Sequence, residues 1–277
     1  MKSKRLSIGS IVISFILWLS STVYADMLIS PTRVLLTGES RSATMTLRNT
    51  SEGPRTYRLS WEDKRATENG SYTKINDGEE WPSAHEMIRF SPRQITVGPG
   101  ENQTIRFSFR PPADLPSGEY RSHLLLKVIP DISEPSSTLT GTGPGENVGV
   151  QVFMQMSFSI PIVARLSTEA PQVSIGEIKA VPVENGSRIG LELTFNRVGE
   201  SSSYGTVTVE MQRDSNSQIE QIGQYKELSI FREIDRRKIT IPLREKNIPA
   251  GAVIRVAYEG AKEYKGKLWA EQIFQTE

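Results

Sequence analysis

The chain has no cysteine and only two histidines in 277 residues. Without cysteine there can be no disulfide, so the fold has to be held by hydrophobic cores alone. Neither His85 nor His123 has a neighbouring histidine or paired carboxylate at metal-ligand spacing, which argues against a zinc centre and leaves no metal or other cofactor to expect. Also missing are a Gly-x-Ser-x-Gly elbow, a phosphate-binding loop and a dinucleotide fingerprint. The carboxylates are scattered over turns and polar faces, so nothing supports an enzyme. Charge is nearly balanced at +1, which gives no reason to expect a nucleic-acid partner. Beyond the first residues no run is apolar enough to enter a membrane, and no amphipathic helical pattern interrupts the chain.

What is present begins with Lys2, Lys4 and Arg5, an uncharged apolar run from Leu6 to about Leu19, and small residues closing on Ala25. This is the pattern of a secretory signal peptide over residues 1–25, and its removal takes the formal charge from +1 to −2. From residue 28 onward, short alternating or β-branched runs are separated by Gly, Pro, Asn and Asp clusters, so the fold is read as all-β. The first half carries strands near Leu28–Leu36, Ala43–Asn49, Thr56–Glu62, Ile88–Val97 with a break, Gln103–Phe109, Tyr120–Ile129 and Asn147–Leu166. That number and spacing predict an immunoglobulin-like sandwich over residues 26–167, enlarged by Arg65–Ser83 and Asp131–Glu146. A second set of strands predicts another β-sandwich over residues 168–277. The join at Ser167–Pro171 is short enough to hold the two at a fixed angle with a cleft between them.

Two features stand out within this plan. Between Val148 and Ile160 every second residue is apolar: Val148, Val150, Val152, Met154, Met156, Phe158 and Ile160. A period of two over that length reads as one long strand, 147–166, that either fills a sandwich core or offers its apolar face to another protein. The second feature is Arg33, alone among apolar neighbours in Ile29-Ser30-Pro31-Thr32-Arg33-Val34. It is either a surface arginine on an edge strand or a guanidinium in the cleft, suited to bidentate capture of a carboxylate such as a partner's C-terminus. His123 reads as a partly buried or cross-strand polar residue of its strand.

Several short motifs occur in order along residues 27–166: Pro31-Thr32-Arg33-Val34, Leu47-Arg48-Asn49, Tyr57 and Trp61, Phe90-Ser91-Pro92-Arg93, Gly98-Pro99-Gly100, Gln103-Thr104-Ile105-Arg106, and Gly118-Glu119-Tyr120-Arg121-Ser122-His123-Leu124. With the signal peptide and the long alternating strand, they resemble the PapD-like periplasmic chaperones of the chaperone–usher pilus pathway. The resemblance implies a boomerang of two immunoglobulin-like domains in the periplasm. Such a protein folds and caps pilus subunits by donor-strand complementation and delivers them to an outer-membrane usher. It also implies that Val148, Val150, Val152, Met154, Met156 and Phe158 fill the subunit's groove and that Arg33 anchors its terminal carboxylate. The family's second anchor, a lysine in the seventh strand, has no counterpart here, because Ser159 or a neighbour stands at that place. Arg93, Arg121 or Arg165 is left to supply the second charge. The missing lysine, the Gly-Glu-Tyr-Arg-Ser-His run and the absence of the long-loop branch's cysteine pair look most like the archaic or alternative branch.

A pilus subunit or two-domain adhesin is the competing reading, but it would carry a donor strand just after the signal peptide, where Asp26–Ser30 is too short. A sugar-binding or hydrolytic sandwich would call for clustered aromatics, whereas Trp61, Trp81 and Trp269 are dispersed. An uncovered donor strand is an aggregation hazard, so self-association of the free protein is also expected.

Overall fold

The structure, a computed structural model, describes residues 27–76, 78–129, 137–140, 149–152 and 156–276. The first sandwich pairs a four-stranded sheet of β1 (Met27–Ser30), β3 (Ser42–Asn49), β9 (Asn102–Phe109) and β7 (Ile88–Ser91) with a five-stranded sheet. The latter runs in the order β2 (Val34–Thr37), β13 (Ser157–Leu166), β10 (Gly118–Ile129), β4 (Arg55–Glu62) and β8 (Gln94–Val97). Alternate residues of both sheets meet in one core that includes Leu36, Met45, Tyr57, Phe107, Leu124 and Ile162. Both strands read with a proline in or near them divide there. After Pro31 and after Pro92, residues without a backbone N–H to donate, the chain leaves one sheet and joins the other.

The second sandwich stacks β14 (Gln172–Val183), β15 (Arg188–Val198) and β18 (Arg236–Pro242) on a sheet ordered β17 (Glu220–Ile230), β16 (Ser203–Gln212), β19 (Val253–Gly260), β20 (Leu268–Gln275). Its core includes Phe195, Val207, Val209, Ile241, Ile254 and Tyr258. Residues 167–171 link β13 to β14. The all-β architecture of two immunoglobulin-like sandwiches expected from the sequence is the one observed.

Two hairpins lie outside the sandwich sheets. One pairs β5 (Lys64–Ala66) with β6 (Tyr72–Lys74), within the stretch read as a long loop. It leaves the first sandwich and places Ala66, only 4% exposed, in the core of the second. The other pairs β11 (Ser137–Thr140) with β12 (Gly149–Val152). The alternating stretch read as a single strand is therefore described as two elements with different partners: β12 bonds β11, whereas β13 bonds β10 and β2. Periodicity reports which way side chains alternate and is blind to a change of pairing partner.

Candidate functional site at the domain junction

Strand β10 organises the junction. Its even-numbered residues Leu124 and Leu126 face the first core, so Glu119, Arg121 and His123 line the opposite face. On a sandwich that stood alone, that face would be wet. Here all three are buried, at 1%, 4% and 1% exposure, because the second domain and the β5–β6 hairpin cover them.

Glu119 is the hub. Its carboxylate accepts from Arg165 Nη2 at 2.7 Å and Nε at 3.1 Å, from the Ser202 backbone N–H at 3.1 Å, and from the Ser202 hydroxyl. Burial alone would raise this carboxyl, but Arg165 and the bonds from Ser202 outweigh it and hold it below the usual carboxylate range. Its backbone carbonyl accepts from Arg232 Nη1 at 2.8 Å, so one residue ties β10 to two loops of the second domain.

Arg121 pairs with Glu233 and donates to the Lys64 carbonyl at 2.8 Å, with its guanidinium 3.7 Å from the centre of the Phe231 ring. Glu233 Oε1 also accepts the Ala66 N–H at 2.9 Å, which seats the hairpin. His123 packs edge-on against Tyr72, ring centres 5.0 Å apart, and neither ring nitrogen has a hydrogen-bond partner among the described residues. Burial, then the positive charges of Arg121 and Lys64, depress its pKa to about 3, so it stays neutral through the physiological range.

Arg33 stands one residue before β2, which runs parallel to β13 with Val34 beside Ile162. Val34 faces the core, so Arg33 faces the second domain. It is 5% exposed, donates from Nη1 to Glu263 Oε1 at 2.7 Å and stacks 4.9 Å over Tyr204. Its Nε and Nη2 have no partner among the described residues. Beside it, Thr32 Oγ1 donates to the Glu227 carboxylate at 3.1 Å. Burial, with Glu227 adding, pushes the Tyr204 phenol up to about 12. Tyr204 is set by the next residue, since a Cβ on Gly205 would lie 2.0 Å from the Glu259 carbonyl oxygen and only glycine allows β16 to approach β19 so closely.

The three arginines considered as a second charge fall in different places. Arg93 is exposed and stacks 4.2 Å from the centre of the Phe90 ring. Arg121 is engaged by Glu233 as described. Arg165 holds Glu119 and lies 5.2 Å from the ring centre of Tyr264, so it shares with Arg33 the 3₁₀ turn Lys262–Tyr264.

Lys64 was not singled out in the sequence. Its ammonium donates to Ser159 Oγ at 3.0 Å and pairs with Glu62 at 2.8 Å. Ser159 is two residues before Pro161 on the same face of β13, and Pro161 is level with Arg33 in the β2–β13 register. A cation from β5 therefore sits at Ser159, about 7 Å along the strand from the level of Arg33.

Of the apolar positions assigned to a donor strand, Val148 and Met154 lie outside the described residues, and Val150 and Val152 have their backbone in β12. Met156 is 51% exposed, and Phe158 is half-buried against the first core with its ring centre 6.3 Å from that of Tyr57. Among the described residues no group of three or more His, Asp or Glu could hold a metal ion, and no helix is long and apolar enough to cross a membrane.

A model of the Fn3-like domain family matches residues 36–124. The match lies within the first sandwich. Among curated proteins, none matches the chain by sequence. Similar solved structures are chaperones of pilus systems. One is a chain of the CsuC–CsuE chaperone–tip adhesion subunit complex from archaic chaperone–usher Csu pili of Acinetobacter baumannii, at 13% identity over 91% of this chain and 98% of that one, TM-score 0.44. A chain of the Salmonella enterica SafA pilin–SafB chaperone complex is 13% identical over 92% and 98%, TM-score 0.43. The Escherichia coli chaperone DraB is 14% identical over 91% and 96%, TM-score 0.44.

The first sandwich also carries a Ser–His–Asp cluster. His85 Nδ1 lies 2.6 Å from Ser83 Oγ and 3.3 Å from Asp63 Oδ2, while Ser122 Oγ donates to Asp63 Oδ1 at 2.5 Å. A relay needs serine and carboxylate on opposite ring nitrogens. Here both address the same one, so the cluster ties the loop at Ser83 to β10 and has no nucleophile geometry.

Proposed function

We propose that this protein is a periplasmic chaperone that caps pilus subunits by lending them an alternating strand and hands them to an outer-membrane usher. The single observation that carries the reading is Arg33, a guanidinium buried at the junction of two sandwiches with Nε and Nη2 unpartnered among the described residues. A buried charge with open donors is costly unless a ligand uses it. The planar fork formed by Nε and Nη2 fits the two oxygens of a carboxylate, and every partner chain ends in one. The ordered motifs of residues 27–166 support the same reading. So does the pairing of β12, which among the described residues is bonded to β11 and belongs to neither sheet of the first sandwich. In this reading Val148, Val150, Val152, Met154 and Met156 fill the subunit groove, while Phe158 marks where the strand re-enters the chaperone's own core.

Lys64 takes the part of the missing seventh-strand lysine. It reaches the same floor of the cleft from β5 and leaves Ser159 as its hydrogen-bond seat. Lys64→Ala is expected to weaken subunit capture by about tenfold, the loss of one charge-assisted hydrogen bond, with the fold unchanged. Capture equal to the parent's would remove Lys64 from the anchor.

The deciding experiment is recovery of the tagged protein from the periplasm of a pilus-bearing Gram-negative host, with co-purifying proteins identified by mass spectrometry. A small β-rich subunit is expected in stoichiometric amount with the parent. Arg33→Ala and Met154→Arg are each expected to lose it while remaining folded by circular dichroism. Equal recovery with all three proteins would overturn the site, and recovery of no subunit with the parent would overturn the function.

A further inference from the structure

An anchor that is buried before its ligand arrives needs an internal counter-charge, and the fold supplies one. Glu263 sits in the 3₁₀ turn Lys262–Tyr264 between β19 and β20, with its carboxylate 2.7 Å from Arg33 Nη1. The turn is pinned over the guanidinium from several sides. The Tyr264 hydroxyl donates to the Ser202 carbonyl at 3.0 Å, its ring meets Trp269 edge-on at 4.6 Å, and Lys262 Nζ lies 5.1 Å from the centre of the same Tyr204 ring on which Arg33 stacks. With the turn in place, the two open donors of Arg33 have almost no contact with solvent. No incoming carboxylate can reach them unless something moves. Lys262 at the head of the turn holds a φ of 55°, a left-handed conformation that disfavours a side chain, so the closed turn stores backbone strain that its displacement would release.

We propose that Glu263 is an internal stand-in for the partner's terminal carboxylate, and that the turn Lys262–Tyr264 is a cap displaced when the partner docks. This rests on the carboxylate-capture reading of Arg33. Two carboxylates crowded on one guanidinium would repel, so the incoming group exchanges with Glu263 and does not join it. Glu263 swings to solvent with its turn, and Arg33 is neutralised both before and after capture. Affinity is thereby lowered, and specificity is raised. A ligand without a carboxylate cannot repay the loss of the Arg33–Glu263 pair, so the cap filters for chain ends.

The test uses an N-acetylated hexapeptide of alternating threonine and valine, made with a free or an amidated C-terminus, titrated calorimetrically into the full-length mature protein. Glu263→Gln, which keeps the shape of the side chain and removes its charge, is expected to bind the free-acid peptide about tenfold more tightly than the parent does, with no gain for the amide. Glu263→Asp, shorter by one methylene, should fall between the two and guards against a misfolded glutamine variant. Arg33→Ala should abolish the acid-over-amide preference. If parent and Glu263→Gln prefer the acid to the same degree, Arg33 captures carboxylates but Glu263 is no cap, and this inference is overturned alone. If neither protein distinguishes acid from amide, the carboxylate reading fails and the cap falls with it.

Discussion

Replacing Glu119 with alanine is expected to lower the unfolding free energy by about 3–5 kcal/mol, the range for removing one partner of a buried ion pair. Arg165, most of whose guanidinium is covered, would then be left without its carboxylate, and Ser202 would lose the acceptor of both its N–H and its hydroxyl. Urea denaturation of the mature protein, followed by tryptophan fluorescence, measures the loss. The double variant Glu119→Leu with Arg165→Leu removes both charges together and is expected to recover much of it, because no uncompensated charge remains. If Glu119→Ala alone costs less than about 1 kcal/mol, the pair behaves as a solvated surface contact and the hub assignment is wrong. The carboxyl is held below its ordinary range in the folded protein. Its stabilising contribution is therefore present above the unfolded pKa and is lost as pH falls through the folded value.

Acid should also weaken the protein in a second, higher window, and His123 is the cause. Its folded pKa of about 3 lies well below the unfolded value near 6.5, so the unfolded chain takes up a proton that the folded one refuses. Stability is therefore complete above pH 6.5 and falls as pH drops towards the folded pKa. Between pH 7 and pH 5 the loss from this one residue is about 2 kcal/mol. Burial disfavours the proton first, and the charges of Arg121 and Lys64 disfavour it further, in a site that among the described residues offers neither ring nitrogen an acceptor. His123→Phe keeps an aromatic ring against Tyr72 and removes the titration. Unfolding free energies of parent and variant from urea denaturation at pH 7 and pH 5 should diverge by that amount, the parent dropping further. Parallel behaviour of the two would show that another group governs acid sensitivity.

The strands were readable because each sandwich alternates cleanly. In β3, β4 and β9 the buried positions recur at every second residue, and the expected bounds differ from the observed ones by a residue or so. A break was expected only within Ile88–Val97, whereas Leu28–Leu36 was read as one strand; that the chain passes from one sheet to the other after both Pro31 and Pro92 is a tertiary fact. Arg33 could be picked out because a lone charge among apolar residues is locally odd. Its partner could not. Glu263, Glu233 and Lys64 look like any charge on a turn or strand end, and their pairing with Arg33, Arg121 and Ser159 exists only in the folded arrangement. A usable signal was present in Gly118–His123, where the face of β10 opposite the core carries Glu119, Arg121 and His123 in succession. Three ionisable groups on one strand face suggest either a solvated edge or a covered polar interface, and alternation alone does not separate these.

The β5–β6 hairpin bears on how the protein is made. Ala66 belongs to the core of the second sandwich, the Lys238 N–H donates to the Glu68 carbonyl at 2.8 Å, and Arg237 Nη1 reaches the same carbonyl at 2.9 Å. A ribosome delivers residue 66 long before residue 238, so the first domain can close its own sandwich while this finger still has no seat. A strand synthesised late, β18, therefore completes a contact begun near the start of the chain, and severing the polypeptide at the linker would leave Ala66 without the core it packs in and Glu119 and Arg121 without Ser202 and Glu233.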